Sequence, residues 1–305
     1  MYTPLHLTPN NTEISLYKYL PTRYALKVVR DNKLQWSSPA KLNDPIDVVR
    51  ELRLEDRAIG IQEVLLQEIA ALVEAGACPA KIKHPRLKYI LQHMQNLGAQ
   101  QRQEAAKELK RQGLMDPTGE QISALKYMSE EWEKMVGQMR ILSLSESHEA
   151  IPMWAHYSDN GRGVVLEFRG DKKRDSAFLA AKRVNYSNTP PSIVSISDWV
   201  RCLLGSGEKS WEYLFSEVPY VKTEEWKNER EWRIVTFDYS TVDYSYFDFF
   251  HEDLKGVYFG YNCDQMSKTE IIKALDKRYS HVKVYNSELD PINRVLCFSE
   301  ATRPI

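Results

Sequence analysis

Trp226-Lys-Asn-Glu229-Arg-Glu231-Trp232-Arg233-Ile-Val235 is the stretch on which the fold turns, because it reads as the mouth of a buried strand carrying two acids. Strand side chains alternate between faces, so a strand begun by Glu229 puts Glu229, Glu231 and Arg233 on one face. Arg230, Trp232 and Ile234 then take the other. Two carboxylates and a guanidinium on one strip have two readings. They can stabilise positive charge developing on a sugar carbon, as carboxylates do in glycoside chemistry. They can equally neutralise one another on a partly exposed strand, at a gain of only about 0–1 kcal/mol. ExE is a very common string, and on the residues alone that favours structural pairing.

Strands and helices interleave irregularly outward from this stretch. Ser15-Leu-Tyr-Lys-Tyr19 reads as a short strand, and Pro21 opens a helix with Tyr24, Ala25, Val28 and Val29 on one side. Leu34-Gln-Trp-Ser37 is a second strand, followed by the turn-rich loop Pro39-Ala-Lys-Leu-Asn-Asp-Pro45. Residues 55–138 change character. Ile61, Leu65, Ile69 and Leu72, then Leu87, Ile90, Met94 and Leu97, then Leu125, Met128, Trp132, Met135 and Met139 make three stripes at helical spacing. The region reads as a helical insertion or lid within one domain spanning 1–305.

Strands return at Arg140–Ser145, Gly163–Phe168, and near 231–237, 243–250 and 254–259, with a helical pattern over 193–217. Ser267-Lys-Thr-Glu270 is a capping-box signature, and His281–Tyr285 completes a strand–helix–strand unit. The expected class is α+β, with a small mixed or antiparallel sheet at its core.

Composition narrows the function classes. The 41 basic and 42 acidic residues nearly cancel, so no strong global field recruits nucleic acid or anionic lipid. Cys78, Cys202, Cys263 and Cys297 form no CxxC pair, which argues against a zinc ribbon or a disulfide scaffold. The opening residues lack a secretory pattern, and no run of about 20 apolar residues occurs. The expectation is a soluble cytoplasmic protein. P-loop, GxGxxG, HExxH and GxSxG strings are all absent.

Two further clusters carry hydrogen-bonding chemistry. Ser143-Leu-Ser145-Glu-Ser147 leads into Met153-Trp-Ala-His156-Tyr157, where His156 can act as a general acid or base. The same residues also suit a half-buried wall with Trp154 as ordinary core. On the first strand Lys18 can hold a phosphate or hydroxyl, with Tyr17 and Tyr19 stacking on a planar ring, although Asn43-Asp44-Pro45 is also what a plain turn looks like. The aromatic run Tyr239–Phe250 carries acids and no Lys or Arg, so it reads as hairpin core and not as a base-stacking surface.

Taken together, Leu16–Tyr19, Asn43–Asp47, Ser143–Tyr157, Trp226–Arg233 and the later Phe259-Gly260 resemble the bacterial domain-of-unknown-function family 2971, which implies little about activity. More distantly, the order of strand, helix, strand, loop and late ExE is similar to that of ADP-ribosyltransferases. That resemblance implies an enzyme using NAD as substrate and cleaving its nicotinamide–ribose bond. Glu231 would match the glutamate on the ribose and Glu229 the residue that positions an acceptor. Tyr17, Lys18, Tyr19, Asn43, His156 and Tyr157 would line the NAD site. Lys18 stands where that family has His or Arg, and Pro39–Pro45 replaces its glycine-rich turn. Proteins of this kind often serve as toxins or in defence against phage. The partners implied are a small nucleotide and a protein or nucleic-acid acceptor, with no membrane; a homodimer is left open. The alternatives are a non-catalytic module recognising a nucleotide or protein through the same cleft, and a metal-dependent nuclease using Asp44, Asp47 and Glu229.

Overall fold

The computed structural model describes residues 14–48, 58–81, 85–112, 130, 132–188, 216–240, 242–275 and 277–301. Most of the helical pattern expected over 193–217, together with Leu125 and Met128, lies outside these residues. The chain forms two compact units, one from residues 1–47, 137–188 and 220–305, the other from 48–136 and 189–219.

The first unit is built on ten strands in one open sheet, mixed as expected though not small. Its strands are β1 (Leu16–Leu20), β2 (Lys33–Ser37), β3 (Met139–Ser145), β4 (Val164–Phe168), β5 (Lys182–Arg183), β8 (Glu231–Phe237), β9 (Tyr244–Asp248), β10 (Leu254–Phe259), β11 (Lys283–Asp290) and β12 (Val295–Glu300). A separate pair joins β6 (Asn185–Tyr186) to β7 (Val221–Lys222). Among the described residues only β10 and β11 run parallel within the large sheet; helix α6 (Gln265–Ala274) connects them, the kind of crossover that a parallel pair needs. That is the strand–helix–strand unit expected. Its cap is not Ser267, however. Asp264 caps α6 by accepting from the Ser267 backbone N–H at 2.8 Å, so the boundary sits one turn earlier than the S-x-x-E string suggests.

Period-two alternation sorts the side chains onto two faces. Val164, Leu166 and Phe168 of β4 enter the main core with Leu16, Leu142, Leu144 and Ile234. Helix α1 (Thr22–Asp31) covers this face with Ala25, Val28 and Val29, and α6 packs beside it. Asn32 ends α1 with φ 53°, a left-handed conformation that Asn tolerates. Its side chain donates to the Phe249 carbonyl and accepts from Tyr279 Oη at 2.8 Å, which ties the helix end to the chain after β9. The opposite face carries Tyr19, Trp154, Val165 and Tyr258 under helix α5 (Ile151–Tyr157). Met139 opens β3 and does not close a helical stripe. Strand β9 pairs with β2 and not with β8, so Tyr239–Phe250 is no hairpin; Tyr244 and Tyr246 are exposed on it.

Strand β8 pairs with β3 along its whole length, from Met139↔Phe237 to Ser145↔Glu231. On its other edge β3 touches β1 through Tyr17↔Ser145 and β2 through Ser37↔Ile141. Between those two bridges the sheet forks.

The second unit contains helices α2 (Ala58–Glu74), α3 (Pro85–Met94) and α4 (Ala99–Gln112). Val73 and Leu91 form its buried cluster, with Ile69, Leu72, Met94, Ala105 and Leu109 packed around them. Gly76 follows α2 with φ 62°, the left-handed position at which helices commonly stop.

Candidate functional site

The fork between β1 and β3 opens a cleft of about 80 Å³, continuous with solvent. Tyr17, Lys18, Asn43, Ser143, Tyr157 and Glu229 are among its lining residues, above a floor of Asp47, Lys222, Glu231 and Arg233. Segments far apart in sequence therefore converge on one hollow.

Glu229 reaches the cleft by a route other than the expected one. It ends a 3-10 helix (Glu224–Glu229) and is not part of the strand. Arg230 follows with φ 46°, and this left-handed residue turns the chain so that the acids on either side of it meet at one cation. That cation is Lys222 on β7. Its Nζ lies 2.6 Å from Glu229, 3.2 Å from Glu231 and 3.9 Å from Asp47, with the Trp226 ring 4.7 Å away.

Arg233 pairs with Glu231, as the self-neutralising reading requires, but the strand is not exposed there. Arg233 is 0% accessible and Glu231 4%. The guanidinium donates to both Glu231 oxygens, at 2.8 and 2.9 Å, and forks onto both Asp47 oxygens as well. Register explains the geometry: Ser143↔Arg233 and Ser145↔Glu231 are cross-strand neighbours on the face away from the main core. Tyr186 Oη accepts from the Glu231 backbone N–H at 2.7 Å.

Electrostatics follow from these contacts. Burial alone would push the Glu231 carboxyl up, but the Arg233 charge and hydrogen bonds, with Lys222, outweigh it and hold the group at about 2. Burial opposes the charge on Lys222 too, yet Glu231 and Glu229 hold its pKa above the ordinary value. Tyr157 donates to Glu229 and accepts from Asn43; burial and the Glu229 contact push its phenol well up.

Lys18 differs from these groups. It donates to the Ser143 carbonyl at 2.8 Å, at the residue lying between the two bridges of β3. Burial lowers its pKa to about 8, with Glu231 and Glu229 opposing.

Of the residues expected to line the site, Tyr17, Lys18, Tyr19, Asn43, Tyr157, Glu229 and Glu231 are brought together. Tyr19 is buried, its hydroxyl donating to the Ser147 carbonyl at 2.9 Å and its ring edge-on to Trp154. Trp154 is core, 0% accessible. His156 is exposed and does not line the cleft. Among the described residues no three His, Cys, Asp or Glu side chains are grouped to hold a metal. Asp44 does not line the cleft; its Oδ1 accepts from the Ile46 N–H at 3.0 Å, and its buried Oδ2 has no hydrogen-bond partner among the described residues. The residue that sequence reasoning missed is Lys222. A lone Lys in Tyr220-Val-Lys-Thr223 carries no spacing signal, and only the β6–β7 pairing delivers it to the acids.

Fold and site define the class first: an α+β protein whose open sheet forks around a polar cleft. Residues 153–234 match the sequence family described as "Protein of unknown function (DUF2971)". That stretch contains Tyr157, Lys222, Glu229, Glu231 and Arg233, while Lys18, Asn43 and Asp47 lie before it. No curated protein and no solved structure matches the chain. Among the described residues no helix is long and apolar enough to cross a membrane.

Proposed function

We propose that this chain is a recognition module whose cleft binds a small ligand of the nucleotide class without turning it over. The observation that carries this reading is the closure of the charge cluster. Both oxygens of Glu231 are committed to Arg233, and one also to Lys222. Stabilising a cation on a sugar carbon needs carboxylate charge free to face it. Here Asp47, Glu229 and Glu231 are matched in number by Lys222, Arg233 and the nearby Lys18. The floor has no surplus negative charge to offer. What faces the opening suits binding: tyrosine rings for a planar group, the Asn43 amide, and the Lys18 N–H groups for an acceptor.

Calorimetric titration with NAD, ADP-ribose, AMP and adenosine tests the reading. Saturable binding, weakened at least tenfold in Lys18→Met, is the expected result, with nicotinamide release from NAD no faster than from Glu231→Gln. Absence of binding by every one of these ligands refutes it.

A second reading, NAD cleavage of the ADP-ribosyltransferase type, is favoured by the convergence of Lys18, Tyr157, Glu229 and Glu231 on one cleft. Nicotinamide release that is clearly faster from the wild type than from a folded Glu231→Gln variant selects it over the first.

A further inference from the structure

We propose that Lys18 is a carbonyl-reactive amine, and that the cleft captures an aldehyde or ketone group of its ligand reversibly as an imine on Lys18 Nζ. This deepens the recognition reading and rests on it only for the class of ligand.

The two cleft lysines are set up in opposite ways. Lys222 has three carboxylates within 4.0 Å, which favour its charged form, and it donates to two of them, Glu229 and Glu231. Among the described residues Lys18 makes no ion pair within 4.0 Å; its hydrogen bond goes to a backbone carbonyl, Ser143 O, at 2.8 Å. A carbonyl accepts more strongly from an ammonium but still accepts from a neutral amine, so the contact survives loss of the proton and keeps the nitrogen oriented. Lys18 is among the residues lining the solvent-open cleft, and its backbone is held in the β1–β4 ladder opposite Leu166.

Its surroundings are mixed. The charges acting on Lys18 are Glu231 from β8 and Glu229 from the preceding turn, and Asp47, Lys222, Arg233 and Tyr157 line the same cleft. The two carboxylates favour the ammonium, yet burial outweighs them and brings the amine to about 8. A lysine at 8 is roughly one-tenth neutral at pH 7, against about three in ten thousand at an ordinary value near 10.5. Lowered basicity in a partly dry pocket is the usual way a lysine becomes a nucleophile toward carbonyl groups.

The step balances without an outside oxidant or reductant. The neutral nitrogen adds to the carbonyl carbon, and the oxygen takes a proton to give a carbinolamine. That oxygen then leaves as water and a C=N bond remains. Hydrolysis reverses the sequence and frees the ligand.

The full-length chain would be incubated with ADP-ribose, whose open form carries an aldehyde, and separately with pyridoxal. Cyanoborohydride would fix any imine, and peptide mass mapping would locate it. Expected is an adduct on Lys18 at least tenfold more abundant at pH 7 than on the exposed Lys33 and Lys41, with a rate half-maximal near pH 8. It should be absent in Lys18→Arg, whose folding is checked by its melting curve. Labelling of Lys18 no faster than of Lys33, or a rate still climbing toward pH 10.5, overturns the proposal. If Lys18 stays unlabelled while AMP binds in the cleft, the covalent step fails and the recognition reading stands. If pyridoxal labels Lys18 selectively but no nucleotide binds or protects it, the amine stands and the nucleotide assignment falls.

Discussion

Glu231→Gln removes one carboxylate from a cluster in which Arg233 is fully buried, and its effect must depend on pH. In the folded chain the Glu231 carboxyl titrates at about 2, against an ordinary 4.5. Each unit of such a difference is worth about 1.4 kcal/mol, so ionised Glu231 contributes on the order of 3 kcal/mol to stability. Because the folded pKa is the lower one, that contribution is complete above about 4.5. It is lost as the pH falls through the folded value near 2. The amide keeps the shape and one acceptor oxygen but gives up the charge facing Arg233 and Lys222. Urea unfolding at pH 7 should therefore place the variant about 3 kcal/mol below the wild type. At pH 2.5 the gap should shrink, since the wild type has by then begun to take up the proton. A gap of the same size at both pH values, or none at pH 7, would show that the Glu231–Arg233 contact is not a charged pair. Any loss of NAD-dependent activity in this variant must be read beside that folding measurement.

Other expectations come from the same contacts. Lys18→Met should raise the unfolding midpoint at pH 7, because a lysine whose folded pKa is lowered to about 8 opposes folding while protonated; the gain should vanish as the pH rises from 8 toward 10.5, and a uniform effect would contradict the burial argument. Arg140 is 0% accessible and donates to the Gly137, Met139, Ser240 and Val242 carbonyls and to Ser245 Oγ. Arg140→Met leaves those acceptors unfilled and should cost about 3 kcal/mol in chemical denaturation without changing ligand affinity. A Cβ at Gly260 would sit 2.1 Å from the Gly161 carbonyl oxygen, whereas one at Gly137 meets nothing within 4 Å. Gly260→Ala should therefore destabilise by about 3 kcal/mol, and Gly137→Ala should be neutral or stabilising by a few tenths, in parallel thermal melts.

Legibility in the sequence followed the range of the interaction. Strands β1, β2, β3, β4, β8 and β10 were readable because alternation and turn residues are local signals. Pairing was not. The association of β9 with β2, and so the failure of the hairpin reading, depends on residues some 200 positions apart, as in Gln35↔Tyr246. The string Glu229-Arg-Glu231 was noticed for a strand periodicity that it does not have. The left-handed Arg230 does what alternation was expected to do, and the sequence gives no sign of it because Arg rarely adopts that conformation. Lys222 escaped notice for a different reason. A charge's partners are set by tertiary approach, and the two-residue strand that carries it is too short to leave a pattern.

The cluster and the fork depend on each other. Taking six charges, Lys18 included, out of water is costly, and packed hydrocarbon of similar volume is often the more stable choice. A sheet continuous from β1 through β3 to β2 could close with such packing. The fork prevents it, since β3 is left without a partner on the edge beside Ser143, and Glu231 and Arg233 of the adjoining strand line the cleft there. Polar groups can occupy such a wall only if their charges are matched, and Asp47, arriving from the loop after β2, completes the match at Arg233. One arm of the fork is thereby tied to β8 through an ion pair, while on the other Lys18 is paired with Leu166 of β4 and lines the cleft. The cluster accordingly fixes the floor, and the chemistry left available to a ligand lies on β1.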